Sequence, residues 1–179
     1  TPLDRRWLEI TEQQMAEYAQ RITQARQHTV ERLNHWMHPL DPVFPKAHLT
    51  LDSVAVAELP ETWQRQRVPD GQRGRTHTGP HRADMAASHL STGAPAAWCS
   101  HGQQKSMVIS VLLAETYRRI HEQGDPPILL FDDVAAHLDA RTRATLHSIL
   151  CEVQVQAWIT DTDPAHWPHT KTTVHTLPA

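Results

Sequence analysis

Two short stretches of this chain carry residue types whose spacing could do chemistry on phosphate. The first is Asp132-Asp133, which ends the segment PPILLFDDV directly after the apolar run Ile128 to Phe131. Hard divalent cations prefer carboxylate oxygen, and magnesium takes one or two such ligands beside water and phosphate. Asp132 would orient the metal or its water, and Asp133 would polarise an attacking water, a role worth about 10²–10⁴-fold in rate. Taken alone, the pair also fits two solvated acids at a strand end. The second stretch is SHGQQKSMVISVLLAE, in which Ser100 and Gln103 form the S-x-x-Q pattern of a capping box. Capping accounts for Ser100 and Gln103 but leaves Gly102, which costs roughly 1 kcal/mol against alanine in a helical turn and suits a close approach of backbone or ligand. Free amides, a hydroxyl and a glycine at a helix start also make an anion site.

The elements that must hold these residues read as α/β. Residues 101 to 122 form a helix that is apolar nearly all round between Met107 and Ala114, a pattern expected to be buried on most faces. The run before Asp132 is short, continuous and bounded by prolines and acids, as in a central parallel strand. Ligands of open α/β sheets lie beyond the carboxyl ends of such strands. Asp139 is placed to cap a helix over 140 to 152, and VQAWIT then forms a second strand before the acidic turn DTDP. A parallel crossover of this kind puts Asp161 on the same sheet edge as Asp132 and Asp133. A final strand is expected over roughly 172 to 177.

Upstream, residues 4 to 38 read as one helix whose stripe of Leu8, Met15, Tyr18, Ile22, Ala25, Leu33 and Trp36 calls for a partner helix lying outside this chain. The prolines of HPLDPVFP end it. Residues 47 to 59 alternate as a strand, and Pro69-Asp70-Gly71 predicts a turn between strands. Arg65, Arg67, Arg73, Arg75 and Arg82 gather around that turn with only Asp70 opposing them. A solvated loop and a phosphate contact both fit this cluster.

The 179 residues suffice for one domain with a core, or for a domain and an appendage. A hydrophobic fraction of 39% and a mean hydropathy of −0.53 fit a soluble protein. No apolar run approaches the roughly 20 residues of a membrane span, and no signal-peptide pattern opens the chain, so no membrane association and a cytoplasmic location are expected. Cys99 and Cys151 match no C-x-x-C pattern and read as structural thiols. The fourteen histidines fall into no metal-binding spacing. A formal charge of −3 argues against a globally basic nucleic-acid binder and leaves room for a local patch.

SHGQQK, ILLFDDV and AAHLDARTR, in that order and spacing, resemble the signature motif, Walker B strand and D-loop of ABC-type ATPases. With TGPHRADM upstream, they resemble the carboxyl-terminal half of the RecF family of bacterial DNA replication and repair proteins. The motifs span residues 78 to 143 and the flanking elements keep the same order, so the resemblance covers nearly the whole chain. It implies an α/β fold, the carboxyl-terminal part of an ABC-type P-loop ATPase head over residues 47–179, preceded by a helical arm segment over residues 1–46. It implies that Ser100, Gly102 and Gln103 grip the γ-phosphate of ATP held by the opposite protomer of an ATP-dependent homodimer. Asp132 becomes the Walker B acid on Mg2+ through water, Asp133 the catalytic carboxylate and Asp139 the D-loop acid at the dimer interface. Asp161 falls where a switch residue is expected, and Gly79, Pro80, His81 and Arg82 match the family's GPHR motif.

The family function so implied is ATP-dependent binding to DNA at gaps or stalled forks, at single-strand/double-strand junctions, with RecR and RecO, in support of RecA loading and the SOS response. The rival expectation is a non-catalytic remnant that binds a partner polypeptide or DNA. Other ABC heads of the SMC kind share the ATP chemistry but carry long coiled-coil heptads, which this sequence does not show. His101 stands where the signature usually has glycine, Ala83 where the GPHR motif is commonly followed by an acid, Asp133 where most ABC enzymes have glutamate, and DTD where a switch histidine is expected. No Gly-Lys dipeptide occurs, so the G-x-x-x-x-G-K-[ST] loop is missing. The expectation is therefore a fragment, a split gene product or a truncated gene model that begins within the arm, the split form having a separate N-terminal half carrying Walker A as its partner. No DNA-contact residue is assigned.

Overall fold

The computed structural model describes residues 4–53, 55–134, 136, 138–168 and 172–175. The chain divides into two units, one made of residues 1–31 and 49–86, the other of residues 32–48 and 87–179. Helix α1 (Arg5–Met37) forms where 33 residues pass without glycine or proline. Asp4 starts it, its carboxylate accepting from the Arg6 amide at 3.0 Å. Strand β1 (Ala47–Asp52) follows and pairs with β2 (Asp84–His89).

In the first unit the partner of α1 is present after all. Helix α2 (Leu59–Arg73) packs on it through Leu59 and Trp63, which form a buried cluster with Ala19, flanked by Ala16 and Val56. Small residues let the Trp63 ring come close, so the buried line of α1 runs through Ala19, while Tyr18 is 61% exposed and Met15 and Ile22 also face solvent. The strand expected over 47 to 59 therefore stops at Asp52, and the turn expected at Pro69-Asp70-Gly71 lies inside α2. Leu59 and Trp63, one turn apart, give the segment a face to bury, and Pro60 sits in the first turn where its missing N–H is not needed. Pro69 removes one ladder bond without ending the helix. The stop comes at Gly74, whose φ of +67° suits glycine, and the amides of Gly74 and Arg75 both donate to the Asp70 carbonyl.

The arginine cluster changes meaning with the helix. Arg67 donates to both carboxylate oxygens of Glu12, at 2.8 and 2.6 Å, so it is an α1–α2 fastener and not an unopposed loop cation. Gly79 of the GPHR segment has φ +155° and ψ 179°, a region open essentially to glycine alone. Beside it the Trp63 indole donates to the Thr78 carbonyl at 2.6 Å, and Arg26 donates to the Pro80 carbonyl at 2.5 Å.

In the second unit, helix α3 (His101–Arg118) buries Met107, Ile109, Leu113 and Ala114 but leaves Val108 and Leu112 exposed. Burial on most faces is as expected, and Val108 and Leu112 share the one exposed strip. The helix runs on through a π-turn at Arg119–Gln123, where Glu122 pairs with Arg32 and accepts from the Trp36 indole at 2.6 Å. Strand β3 (Leu129–Phe131), helix α4 (Ala140–Val153) and strand β4 (Ala157–Ile159) make the expected parallel crossover, with Leu129, Leu130 and Phe131 opposite Ala157, Trp158 and Ile159. Leu129 and Phe131 are buried, whereas Leu130 is 75% and Trp158 54% exposed, so this sheet is covered on one face. Residues 172–175 are not strand, and residues 176 and 177 of that expectation lie outside the described residues. Cys99 and Cys151 are free and half-buried. No helix among the described residues is long and apolar enough to cross a membrane.

Trp63 is the residue on which the first unit's packing converges. Trp63→Ala should cost about 3–5 kcal/mol by removing a buried ring, whereas Val68→Ala on the same helix, at a position 69% exposed, should stay within about 0.5 kcal/mol. Urea denaturation of the two variants checks this contrast.

Candidate functional site

The acid pair sits just beyond β3. Extending the β3–β4 register by one residue sets Asp132 beside Thr160, and the bonds follow that register. The Thr160 amide donates to the Phe131 carbonyl at 3.0 Å, the last rung of the ladder. Its hydroxyl donates to Asp132 Oδ1 at 2.6 Å and accepts from the Asp133 amide at 2.9 Å. Asp133 has φ +47°, a left-handed conformation uncommon for a residue with a side chain. Both acids are exposed. Among the described residues no group of three or more His, Cys, Asp or Glu could hold a metal ion unaided. One or two exposed carboxylates at a strand end still fit magnesium, which keeps several waters and leans on phosphate for the rest of its shell.

At the start of α3 the capping box forms as its spacing predicts. The Gln103 amide donates to Ser100 Oγ at 3.3 Å, and the Ser100 amide donates to Gln103 Oε1 at 3.0 Å. Gln104 braces the preceding turn by donating to the carbonyls of Ala96 at 2.9 Å and Cys99 at 3.2 Å. Gly102 is half-buried in the first turn. At α4, Asp139 accepts from the Thr142 amide at 2.7 Å, and that bond holds its carboxyl below the usual aspartate range. Asp139 also borders an open cleft with Pro42, Val43, Arg141 and Thr142. Among the described residues, no hydrogen bond joins the capping box to Asp132 or Asp133.

Asp161, expected on the same edge, follows Thr160 directly, and its carboxylate is heavily engaged. It accepts from the Asp163 amide at 3.1 Å, from His166 Nδ1 at 3.0 Å and from the Trp167 indole at 2.7 Å. Burial to 8% side-chain exposure pushes this carboxyl up, but the Asp163 amide, His166 and Trp167 together outweigh it, and the net effect holds it below the ordinary aspartate range.

Thr160, His166 and Trp167 are the members of this arrangement that residue patterns miss. Thr160 could have been found from the strand register, because two parallel strands of known alignment bring position 160 against 132. His166 and Trp167 carry no such signal, since they reach Asp161 through a loop.

A carboxyl whose folded-state pKa is depressed contributes stability that is complete above its unfolded value of about 3.9 and is lost as pH falls through the folded value. Asp161→Asn should therefore lower stability at neutral pH by about 1–3 kcal/mol and flatten the acid limb of a melting-temperature profile taken below pH 4. Thermal melts of both proteins across that range check it.

No protein-family model matches the chain. Among curated proteins it is 36% identical over 185 residues to the DNA replication and repair protein RecF of Caulobacter vibrioides, spanning 95% of this chain and 48% of the relative. It is 38% identical over 176 residues to RecF of Brucella abortus, spanning 90% of this chain and 46% of that one. RecF of Rickettsia massiliae is 33% identical over 175 residues, with 89% and 48% covered. Among solved structures, the recombination mediator protein RecF-ATPrS in the RecFOR pathway aligns with a TM-score of 0.69 at 24% identity, over 92% of this chain and 47% of that one. RecF-ATP in the same pathway aligns with a TM-score of 0.68 at 22% identity, over 88% and 45%. At those identities the structural likeness speaks to the fold. The chain spans about half the length of the curated relatives it matches. In sequence, then, this chain is similar to the carboxyl-terminal half of the RecF proteins, and over the matched residues its backbone shares their fold.

Proposed function

We propose that the chain contributes one side of a composite ATP site in a RecF-like DNA repair and replication protein. The observation that carries this reading is the Asp132–Asp133 pair held beyond the carboxyl end of β3, in a sequence that follows RecF relatives over nine-tenths of its length. Asp132 would hold Mg2+ through water, and the ion, when bound, would neutralise charge on phosphate oxygens. Asp133 orients and polarises the attacking water. Ser100 Oγ, already accepting from Gln103, keeps its own proton to donate, and with the amide of Gly102 it offers an anion site for the γ-phosphate of ATP on an opposite protomer. Gln103 fixes the geometry of that turn, Asp139 stands at the D-loop position, and Asp161 at the switch position braces the loop behind the site through His166 and Trp167.

In this reading residues 1–46 are an arm segment and 47–179 a head portion, acting in the cytoplasm. The partners are DNA at single-strand/double-strand junctions, RecR and RecO, and the outcome is support of RecA loading. The exposed Leu130 and Trp158 favour a second reading, a non-catalytic remnant whose apolar sheet face binds a partner polypeptide.

Isothermal titration of the chain alone with Mg-ATP should show no micromolar Kd, and a micromolar Kd would overturn the half-site. Joined to a P-loop half from a RecF relative, Ser100→Arg should keep ATP binding by the monomer but lose ATP-driven dimerisation, read by light scattering beside a thermal melt. Loss of the cap itself costs only about 0.5–2 kcal/mol, too little to unfold the domain. In the same joined protein Asp133→Asn should abolish hydrolysis while dimers still form; unchanged turnover would remove Asp133 from the reacting groups.

A further inference from the structure

We propose that Thr160 is the positioning residue of the acid pair, a single hydroxyl that sets both the rotamer of Asp132 and the backbone of Asp133. The inference rests on the reading that Asp132 holds a divalent cation through water. A threonine hydroxyl has one proton to give and lone pairs to accept with, and here both functions are used on neighbouring groups. The proton goes to Asp132 Oδ1 at 2.6 Å, within the range of a hydroxyl bonded to a carboxylate. A lone pair takes the Asp133 amide at 2.9 Å. The two bonds fix the hydroxyl rotor in one orientation, and the Thr160 amide, bonded to the Phe131 carbonyl at 3.0 Å, fixes the backbone that carries it.

Each bond has a distinct consequence. Engaging Oδ1 leaves Asp132 to present Oδ2, so the carboxylate faces a ligand in one orientation and not as a freely turning group. Capturing the Asp133 amide holds that residue at φ +47°, a conformation that needs surrounding contacts to persist. The left-handed turn sends the Asp133 side chain off the line of the strand, away from the alternation that would otherwise govern it. Groups that orient a metal's ligand typically change metal affinity by about 10–100-fold when removed, although they never touch the ion.

The test uses Mn2+ as the probe, with free Mn2+ read by electron paramagnetic resonance in the presence of ATP against the full chain joined to a P-loop half from a RecF relative. Thr160→Val keeps the shape and removes the hydroxyl, and it should weaken Mn2+ binding about tenfold or more, while Thr160→Ser should stay within about threefold of the parent. Thermal melts of the variants should not track the affinities. If Thr160→Val does not fold, Thr160→Cys, with a weaker donor of similar size, takes its place and should lose affinity likewise. Asp132→Asn serves as the control for the metal reading. Loss of Mn2+ in Asp132→Asn with parental binding in Thr160→Val would overturn the role of Thr160 and leave the metal reading standing. An equal loss in Thr160→Ser and Thr160→Val would overturn it too, because the hydroxyl would not be the determinant. Parental binding in Asp132→Asn would bring down the metal reading itself, and the role of Thr160 with it.

Discussion

Parallel pairing of β3 with β4 is the constraint from which the arrangement of the second unit follows. Strands that run in the same direction cannot be joined by a tight turn, so a crossover must intervene, and α4 is that crossover. Parallel alignment also brings both carboxyl ends to one edge. With Phe131 opposite Ile159, the residues that follow each strand are neighbours, and Asp132, Asp133 and Asp161 come from those positions. A slip of one residue would face Asp132 with Ile159 or Asp161 in place of Thr160 and would turn the buried Leu129 and Phe131 to the opposite face.

In this unit side-chain bonds to backbone amides start the helices and tie down the acids. Ser100, Asp139 and Asp163 each accept an amide at the start of a helix or 3-10 turn, and Asp132 and Asp133 are tied across to Thr160. Such bonds are local and directional, and they hold exposed acids in place without a buried cluster behind them. Asp161 shows the other possibility. Its carboxylate is enclosed and satisfied by three kinds of donor, an arrangement that braces the loop after β4 as well as placing a charge there.

The first unit works differently, through contact between small and large residues. Ala19 and Ala16 give α1 a shallow face, and Trp63 fills it while its indole nitrogen finds the Thr78 carbonyl. Thr78 directly precedes Gly79, so the packing of a tryptophan on a helix and the backbone of the GPHR segment are set by the same side chain. Arg67 and Glu12 add a two-bond clasp along the same pair of helices.

What the sequence by itself determined is the set of features whose causes lie within a few residues of one another: the capping box at Ser100 and the N-cap at Asp139, the span of α1, the β3–α4–β4 order, the acids that end each strand, and the likeness to RecF that those motifs carry. Tertiary structure decided everything that depends on what lies opposite. Pro69-Asp70-Gly71 has the composition of a turn, yet a face with Leu59 and Trp63 to bury against α1 carries the helix through it to Gly74. The apolar stripe of α1 named its large residues, whereas the neighbour that arrived was a tryptophan needing small ones. The surround of α3 reads as burial on most faces, which it has, and the continuous run of β3 as a fully buried strand, but burial requires a covering surface, and Leu130 has none among the described residues. Thr160 is silent as a lone threonine at a strand end, and only pairing across 28 residues of chain turns its hydroxyl into the group that holds Asp132.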